Sequence, residues 1–257
     1  MTLVWSPSYS THVSDSDAQT YIEAVETADN QTLEVATAAA INRFVIGCKD
    51  DGIWDAIKAS CILAGARTLS GALVPLKGTA PTNFNFVAGD YNRETGLVGD
   101  ASTKYLDSNA SVSSTGIGQD NHAFSVYISN LGSGTSGLID LGRGLAGATG
   151  IHQSPPNFAI RSASSTFINR SQTAGFVGLT RTSSSIFTSR LASSNQSHSV
   201  TSQSLRSGTV ALYRFSEGTQ AYSDARMSFY SIGESLDLAL LDARVSTLMT
   251  DIGAAIP

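Results

Sequence analysis

In the first quarter of the chain, apolar residues recur at three- and four-residue steps, the spacing of an amphipathic helix. Tyr21, Ile22 and Val25 give residues 18–28 an apolar face, and Ser14, Asp15, Ser16 or Asp17 can cap its first turn. A break at Asp29-Asn30 precedes a longer helix in which Leu33, Thr37, Ile41, Phe44, Val45 and Cys48 fall on one side; it ends at Gly52, after Lys49. The same spacing predicts a third helix over residues 53–63, striped by Trp54, Ile57, Cys61 and Ile62 and stopped at Gly65. Stripes this wide need a cover. The helices either pack on one another or lay their apolar face against the rest of the chain or another subunit.

From Leu69 onward the helical period disappears. Short apolar runs separated by Gly, Pro, Asn and Ser clusters predict strands at residues 73–76, 96–98, 104–107, 123–129, 137–141, 157–162, 165–169, 175–181, 184–190, 209–215 and 225–232. Several of them alternate. Phe124, Val126 and Ile128 share one face of their strand, and Val210 and Leu212 lie opposite Tyr213 and Phe215. The polar stretch 183–208 reads as an exposed hairpin. Leu238, Leu241, Val245, Leu248 and Ile252 then return to helical steps, predicting an amphipathic helix over 236–255. The fold class is therefore mainly β: a helical segment over 1–68, a β-sandwich over 69–235, and a C-terminal helix over 236–257.

Composition sharpens this picture. Charged residues make up 14% of the 257 and apolar residues 41%, so the surface is kept wet by Ser, Thr, Asn and Gly. A net charge of −5 without any block of like charges offers no footprint for nucleic acid or an anionic membrane surface. No apolar stretch reaches membrane-spanning length, so no membrane insertion is expected, and the start MTLVWSPSYSTHVSD lacks the pattern of a secretory signal, which predicts synthesis in a bacterial cytoplasm. Cys48 and Cys61 are expected to be reduced core thiols, although a bridge between consecutive helices is geometrically conceivable.

Two motifs bracket the β region. Leu97-Val98-Gly99-Asp100-Ala101-Ser102-Thr103-Lys104-Tyr105-Leu106-Asp107 places a Gly-Asp turn between two strand-like runs. Met227-Ser228-Phe229-Tyr230-Ser231-Ile232-Gly233-Glu234-Ser235-Leu236 runs a strand into a Gly turn. Their order and separation resemble the laminin-G-like and pentraxin-like branch of the concanavalin-A-like lectin and glucanase superfamily, which implies a concanavalin-A-like jelly-roll sandwich. The whole chain further resembles proteins of phages, prophages and gene-transfer-like particles. That resemblance rests on Val45-Ile46-Gly47-Cys48-Lys49-Asp50-Asp51-Gly52-Ile53-Trp54, on Ala64-Gly65-Ala66-Arg67-Thr68-Leu69-Ser70-Gly71-Ala72-Leu73 with Pro75-Leu76, and on Tyr230 through Asp242. It implies a virion location.

Glucanases of that superfamily carry a Glu-x-Asp-x-Glu strand that sets three carboxylates on one face. This chain has none. Its acidic pairs, Asp50-Asp51 and Glu234 with Asp237, read as a helix end and a cap, so no enzyme is expected. His12, His122, His152 and His198 lack a metal-ligand spacing, and Gly132-Ser133-Gly134 and Gly142-Arg143-Gly144 read as hairpin turns. Oxygen ligands for Ca²⁺ exist in Asp90, Asn92, Asp100, Asp107, Asp120 and Asn121, but they form no loop motif, so no cofactor is expected. Tyr91, Tyr127, Tyr213 and Tyr222 are candidate sugar platforms, with strand packing as the alternative. Together these readings predict a structural protein of a phage or phage-like particle, a surface spike, fibre or decoration component. Its partners would be copies of itself and other virion proteins. The alternative is a carbohydrate-binding adhesin that recognises host surface polysaccharide.

Overall fold

The computed structural model describes residues 14–142, 146–217 and 221–256. Helix α1 (Ser16–Asp29) starts where Asp15 accepts hydrogen bonds from the Asp17 and Ala18 amides, and it ends at left-handed Asn30. Helix α2 (Val35–Asp50) ends before Gly52, whose φ of +69° releases the chain.

The chain then departs from the predicted third helix. Ile57–Ile62 is a strand, β1, and the sandwich therefore takes in residues that their spacing assigned to the helical segment. The physical reason is burial on both faces: Ala59, Cys61 and Leu63 enter the core between the sheets, while Ile57 and Ile62 enter a second core outside them. A strand buried on both sides is apolar throughout, and periodicity cannot separate it from a helix. The predicted strand over 73–76 is not formed either: those residues turn the chain after the short helix α3 (Leu69–Ala72), which Thr68 caps through the Gly71 amide.

The remaining strands are β2 (Thr82–Phe84), β3 (Tyr91–Asn92), β4 (Gly96–Val98), β5 (Tyr105–Ser111), β6 (His122–Asn130), β7 (Ser136–Leu141), β8 (Thr149–Ser154), β9 (Asn157–Arg161), β10 (Ile168–Ser171), β11 (Gly175–Arg181), β12 (Ile186–Leu191), β13 (Ser194–Ser199), β14 (Thr209–Leu212) and β15 (Arg226–Gly233). A short helix α4 (Val112–Thr115) follows β5, and α5 (Leu238–Ala255) closes the chain. Among the described residues the pairings are all antiparallel and form two sheets. The first runs β13-β12-β11-β6-β15-β4-β3, with β1 also paired to β15; the second runs β10-β9-β8-β7-β14-β5-β2. This is the mainly β sandwich of two antiparallel sheets with N- and C-terminal helices that the sequence predicts.

Phe124, Val126 and Ile128 face inward from β6, as their alternation requires, and meet Leu106, Ile139, Ile151, Phe158 and Leu212 of the second sheet. Tyr213 ties the layers together by donating its hydroxyl to the Leu97 carbonyl at 2.6 Å. The helices form a third layer. Ile22, Phe44, Val45, Leu241, Val245 and Ile252 cover Phe176 and Phe229 on the outer face of the first sheet. Of the covers that the sequence left open for its helical stripes, the helices use both one another and the sandwich. Cys48 and Cys61 are buried and unbridged, on α2 and β1, and burial pushes both thiols up to about 12.

Candidate functional site

The helices leave the outer face of the second sheet uncovered by their layer, and strand register puts unlike residues there. Across six strands, Thr82, Asp107, Ala211, Asp140, Gly150 and Arg161 lie side by side. Their chain neighbours Leu106, Leu212, Ile139, Ile151 and Ile160 point into the core, so this row points away from it.

At its centre is a buried charged cluster. His152 Nε2 lies 2.6 Å from Asp140 Oδ1, and because a carboxylate only accepts, the imidazole donates. The Ser216 amide and hydroxyl donate to Asp140 Oδ2 at 2.8 and 2.6 Å, and Arg161 Nη2 stands 3.8 Å from Oδ1. Burial pushes the Asp140 carboxyl up, but the bonds from His152 and Ser216 outweigh it and hold the group below its usual value. Gly150 makes the arrangement fit, since a Cβ there would stand 2.9 Å from His152 Nε2 and 3.0 Å from Asp140 Oδ1. Phe215 lies edge-on against the His152 ring at 4.8 Å, and Phe167 covers the Arg161 guanidinium at 4.5 Å. A carboxylate this fully engaged acts as an anchor that pins residues 215 and 216 onto the sheet.

A second histidine clamps the two sheets at one end. His122 of β6 lies 2.7 Å from the Ser162 hydroxyl, which follows β9, and Arg181 Nε donates to that same hydroxyl at 3.2 Å. The roles follow from the donors: Ser162 gives its proton to His122 Nε2, and His122 Nδ1–H bonds the Gly118 carbonyl at 2.9 Å. The distance suits a nucleophile and its base, but Ser162 is fully buried and already accepts from an arginine. Burial lowers the His122 pKa to about 4, and the Arg181 charge adds to that fall.

Toward the β2 edge the same sheet face becomes aromatic. Phe84 and Tyr105 are register partners on β2 and β5, and their rings stack at 4.2 Å with 4° between planes. The Arg214 guanidinium sits 3.5 Å from the Tyr105 ring centre, and Tyr222, bridged to Arg214 through the backbone, stands 6.2 Å from Tyr105. Phe84 is 37% exposed and Tyr105, Arg214 and Tyr222 are half-buried. Around them lie Thr82, Asp107 and Asn109, with Asn109 donating to the Ala80 carbonyl and to the Thr82 hydroxyl.

Of the four tyrosines predicted as platforms, Tyr222 alone reaches this surface. Tyr213 is buried, Tyr91 donates to the Ala66 carbonyl, and Tyr127 lines a groove of about 360 Å³ beside α5 with Glu94, Ser129 and Met249. Phe84 and Tyr105 were not singled out by sequence reasoning. The signal for Tyr105 was its position one residue before core-facing Leu106, which turns it outward.

The candidate calcium ligands are spread apart. Asp90 pairs with Lys104, Asn92 caps the Glu94 and Thr95 amides, Asp107 accepts from Thr209, and Asn121 accepts from Ser235. Asp100 accepts from the Ser102, Thr103 and Lys104 amides; burial opposes ionisation, but these bonds hold its carboxyl far below the usual range. One Asp120 carboxylate oxygen is buried without a hydrogen-bond partner. Among the described residues no three His, Cys, Asp or Glu side chains gather into a metal-binding group.

The acidic pairs have structural partners. Asp51 takes a two-pronged bond from Arg244, Glu234 pairs with Lys58, and Asp237 caps α5. His198 bonds Ser189 inside the β12–β13 hairpin, as the exposed-hairpin reading of 183–208 allows. Gly132-Ser133-Gly134 is a correction: it joins β6 to β7, which lie in different sheets, so it is a crossover held by Asp224 and not a hairpin turn. His12, Arg143 and Gly144 lie outside the described residues. Among the described residues no helix is long and apolar enough to cross a membrane.

No protein-family model matches the chain, and no curated protein sequence matches it. Its fold is similar to that of solved structures. The binding domain of botulinum neurotoxin serotype D aligns over 75% of this chain at 12% identity and a TM-score of 0.50. Domain 4 of AbnA, an extracellular arabinanase from Geobacillus stearothermophilus, covers 65% at 9% identity with a TM-score of 0.42. The enzymatically active domain of bacteriophage CBA120 tailspike protein 2 covers 70% at 10% identity with a TM-score of 0.41. The chain spans about half the length of the neurotoxin domain, 51%, and 30% of the tailspike domain. The neurotoxin likeness defines a β-sandwich of the lectin-like class and goes no further than the fold.

Proposed function

We propose that this chain is a non-enzymatic carbohydrate-binding β-sandwich carried by a phage or phage-like particle. The observation that supports sugar binding is the stacked Phe84–Tyr105 pair, partly open on the sheet face that the helices do not cover, with Thr82, Asp107, Asn109 and Arg214 around it. Flat apolar rings take the C–H faces of a sugar, and polar groups beside them fix its hydroxyls. The neurotoxin binding domain shares the fold that presents such a face. Particle location rests on the resemblance of the Val45 to Trp54 and Tyr230 to Asp242 stretches to phage proteins. The exposed polar surface of the helices is then what remains to meet other virion proteins or copies of the chain.

Binding is tested by passing the pure protein over host surface polysaccharide, with and without Ca²⁺. We expect saturable binding that Phe84→Ala weakens at least tenfold and that Ca²⁺ does not alter; no binding in either condition counts against the reading. Release of reducing ends during the same incubation would overturn the non-enzymatic part. Gold-labelled electron microscopy of purified particles tests the location, and label absent from particles would leave a free sugar-binding protein.

A further inference from the structure

We infer that the platform selects carboxylated polysaccharides, with Arg214 as the residue that reads the carboxylate; this rests on the sugar-binding reading above. The argument begins from how the other arginines are used. Arg43, Arg67, Arg93, Arg190, Arg206 and Arg244 each pair with a carboxylate. The other described arginines reach a backbone carbonyl, a serine hydroxyl or, for Arg161, Asp140. Arg214 is the exception among the described residues: its guanidinium makes neither an ion pair nor a hydrogen bond, and its Nε is buried without a partner.

A half-buried guanidinium with unmade bonds is costly unless something meets it. The neighbouring acids do not. Asp107 is taken by the Thr209 hydroxyl and the Asn109 amide, and Glu217 by Arg206. The Arg214 guanidinium is held over the Tyr105 ring at 3.5 Å from its centre, and that ring is itself stacked on Phe84. A planar fork held in this way offers paired N–H groups to a carboxylate, which matches it two bonds to two. The substrate class is therefore a sugar polymer bearing carboxylates, such as uronic or sialic acid units. Phe84 and Arg214 take opposite faces of the Tyr105 ring, so one unit of the polymer lies against Phe84 and the acid group of a neighbouring unit reaches Arg214. Because the whole chain carries a net charge of −5, preference for an acidic polymer has to come from this local contact and not from the overall field.

The test uses the full chain against polygalacturonate, hyaluronan and polysialic acid, each beside its carboxyl-reduced form, with affinities read by surface plasmon resonance. The expected result is at least tenfold tighter binding of one or more acidic polymers than of the reduced form. Arg214→Gln should erase that preference, so that acidic and reduced forms bind alike, and Phe84→Ala should weaken both. Equal affinity for acidic and reduced polymers, both weakened by Phe84→Ala, overturns the carboxylate inference and leaves the sugar-binding reading standing. Binding of neither form overturns both. Should Arg214→Gln fail to fold by circular dichroism, the wild-type ratio between each polymer and its reduced form decides.

Discussion

The two outer faces of this sandwich are built from the same kind of antiparallel strand and are put to opposite uses. On the first sheet, Phe176 and Phe229 face outward and are sealed beneath α1, α2 and α5, where Phe44 meets Phe229 edge-on at 5.9 Å. On the second, the outward positions hold Asp140, His152, Arg161, Tyr105 and Phe84. One face is a second hydrophobic core; the other holds a buried charged cluster at its centre and a partly open aromatic patch toward the β2 edge. Strand geometry makes both available, and the side chains on alternate positions decide which is realised.

The strongest way to break this comparison is to remove one anchor from each face. Asp140→Ala removes the buried carboxylate that His152 and Ser216 bond and that stands beside Arg161, for an expected loss of about 3–5 kcal/mol in urea unfolding. Phe229→Ala opens a cavity under the helices and is expected to cost a similar 3–5 kcal/mol or so. The two should differ in kind: Phe229→Ala should increase hydrogen exchange in α2 and α5, and Asp140→Ala should increase it around Ser216. Identical exchange patterns would mean that the faces are not independent.

Between pH 7 and 4, acid acts on the clamp between the sheets. His122 is held neutral in the fold with a pKa lowered from 6.5 to about 4, so the folded state binds fewer protons than the unfolded chain between these values. Stability from this group is complete above pH 6.5 and falls as the pH drops toward 4, by roughly 3 kcal/mol over that window. Urea midpoints measured from pH 7 to 4 check this, and His122→Asn should flatten the slope. A smaller effect belongs to the helical layer. Arg244→Met removes a partly exposed two-pronged bond to Asp51, with an expected loss of about 1 kcal/mol and no change in polysaccharide binding.

Much of the fold could be read in the chain. The capped first helix, the Phe124, Val126, Ile128 alternation, the Gly-Asp turn before β5 and the run from β15 through Gly233 into α5 all rest on local signals. Strand β1 could not be read, because Ile57, Ala59, Cys61 and Ile62 are buried on both sides and a continuous apolar run has no period of its own. Strand β13 is legible only as one arm of the exposed hairpin over 183–208, because Ser194, Asn195, Gln196 and Ser197 are exposed and carry no apolar signal to place its ends. The candidate site was less legible. Asp140 could have been noticed as one charge among Leu138, Ile139 and Leu141, but nothing local links it to His152 or Arg161.

The sequence by itself determined α1, α2, α5 and the place of most strands, since caps, turns and alternation act over a few residues. It also set the uncharged surface and the buried thiols. Only the tertiary structure decided which helical stripe covers which sheet, and which residues share the open face. Phe84, Tyr105 and Arg214 lie up to 130 positions apart in the chain. Long-range strand register brings them together, and no local pattern encodes it.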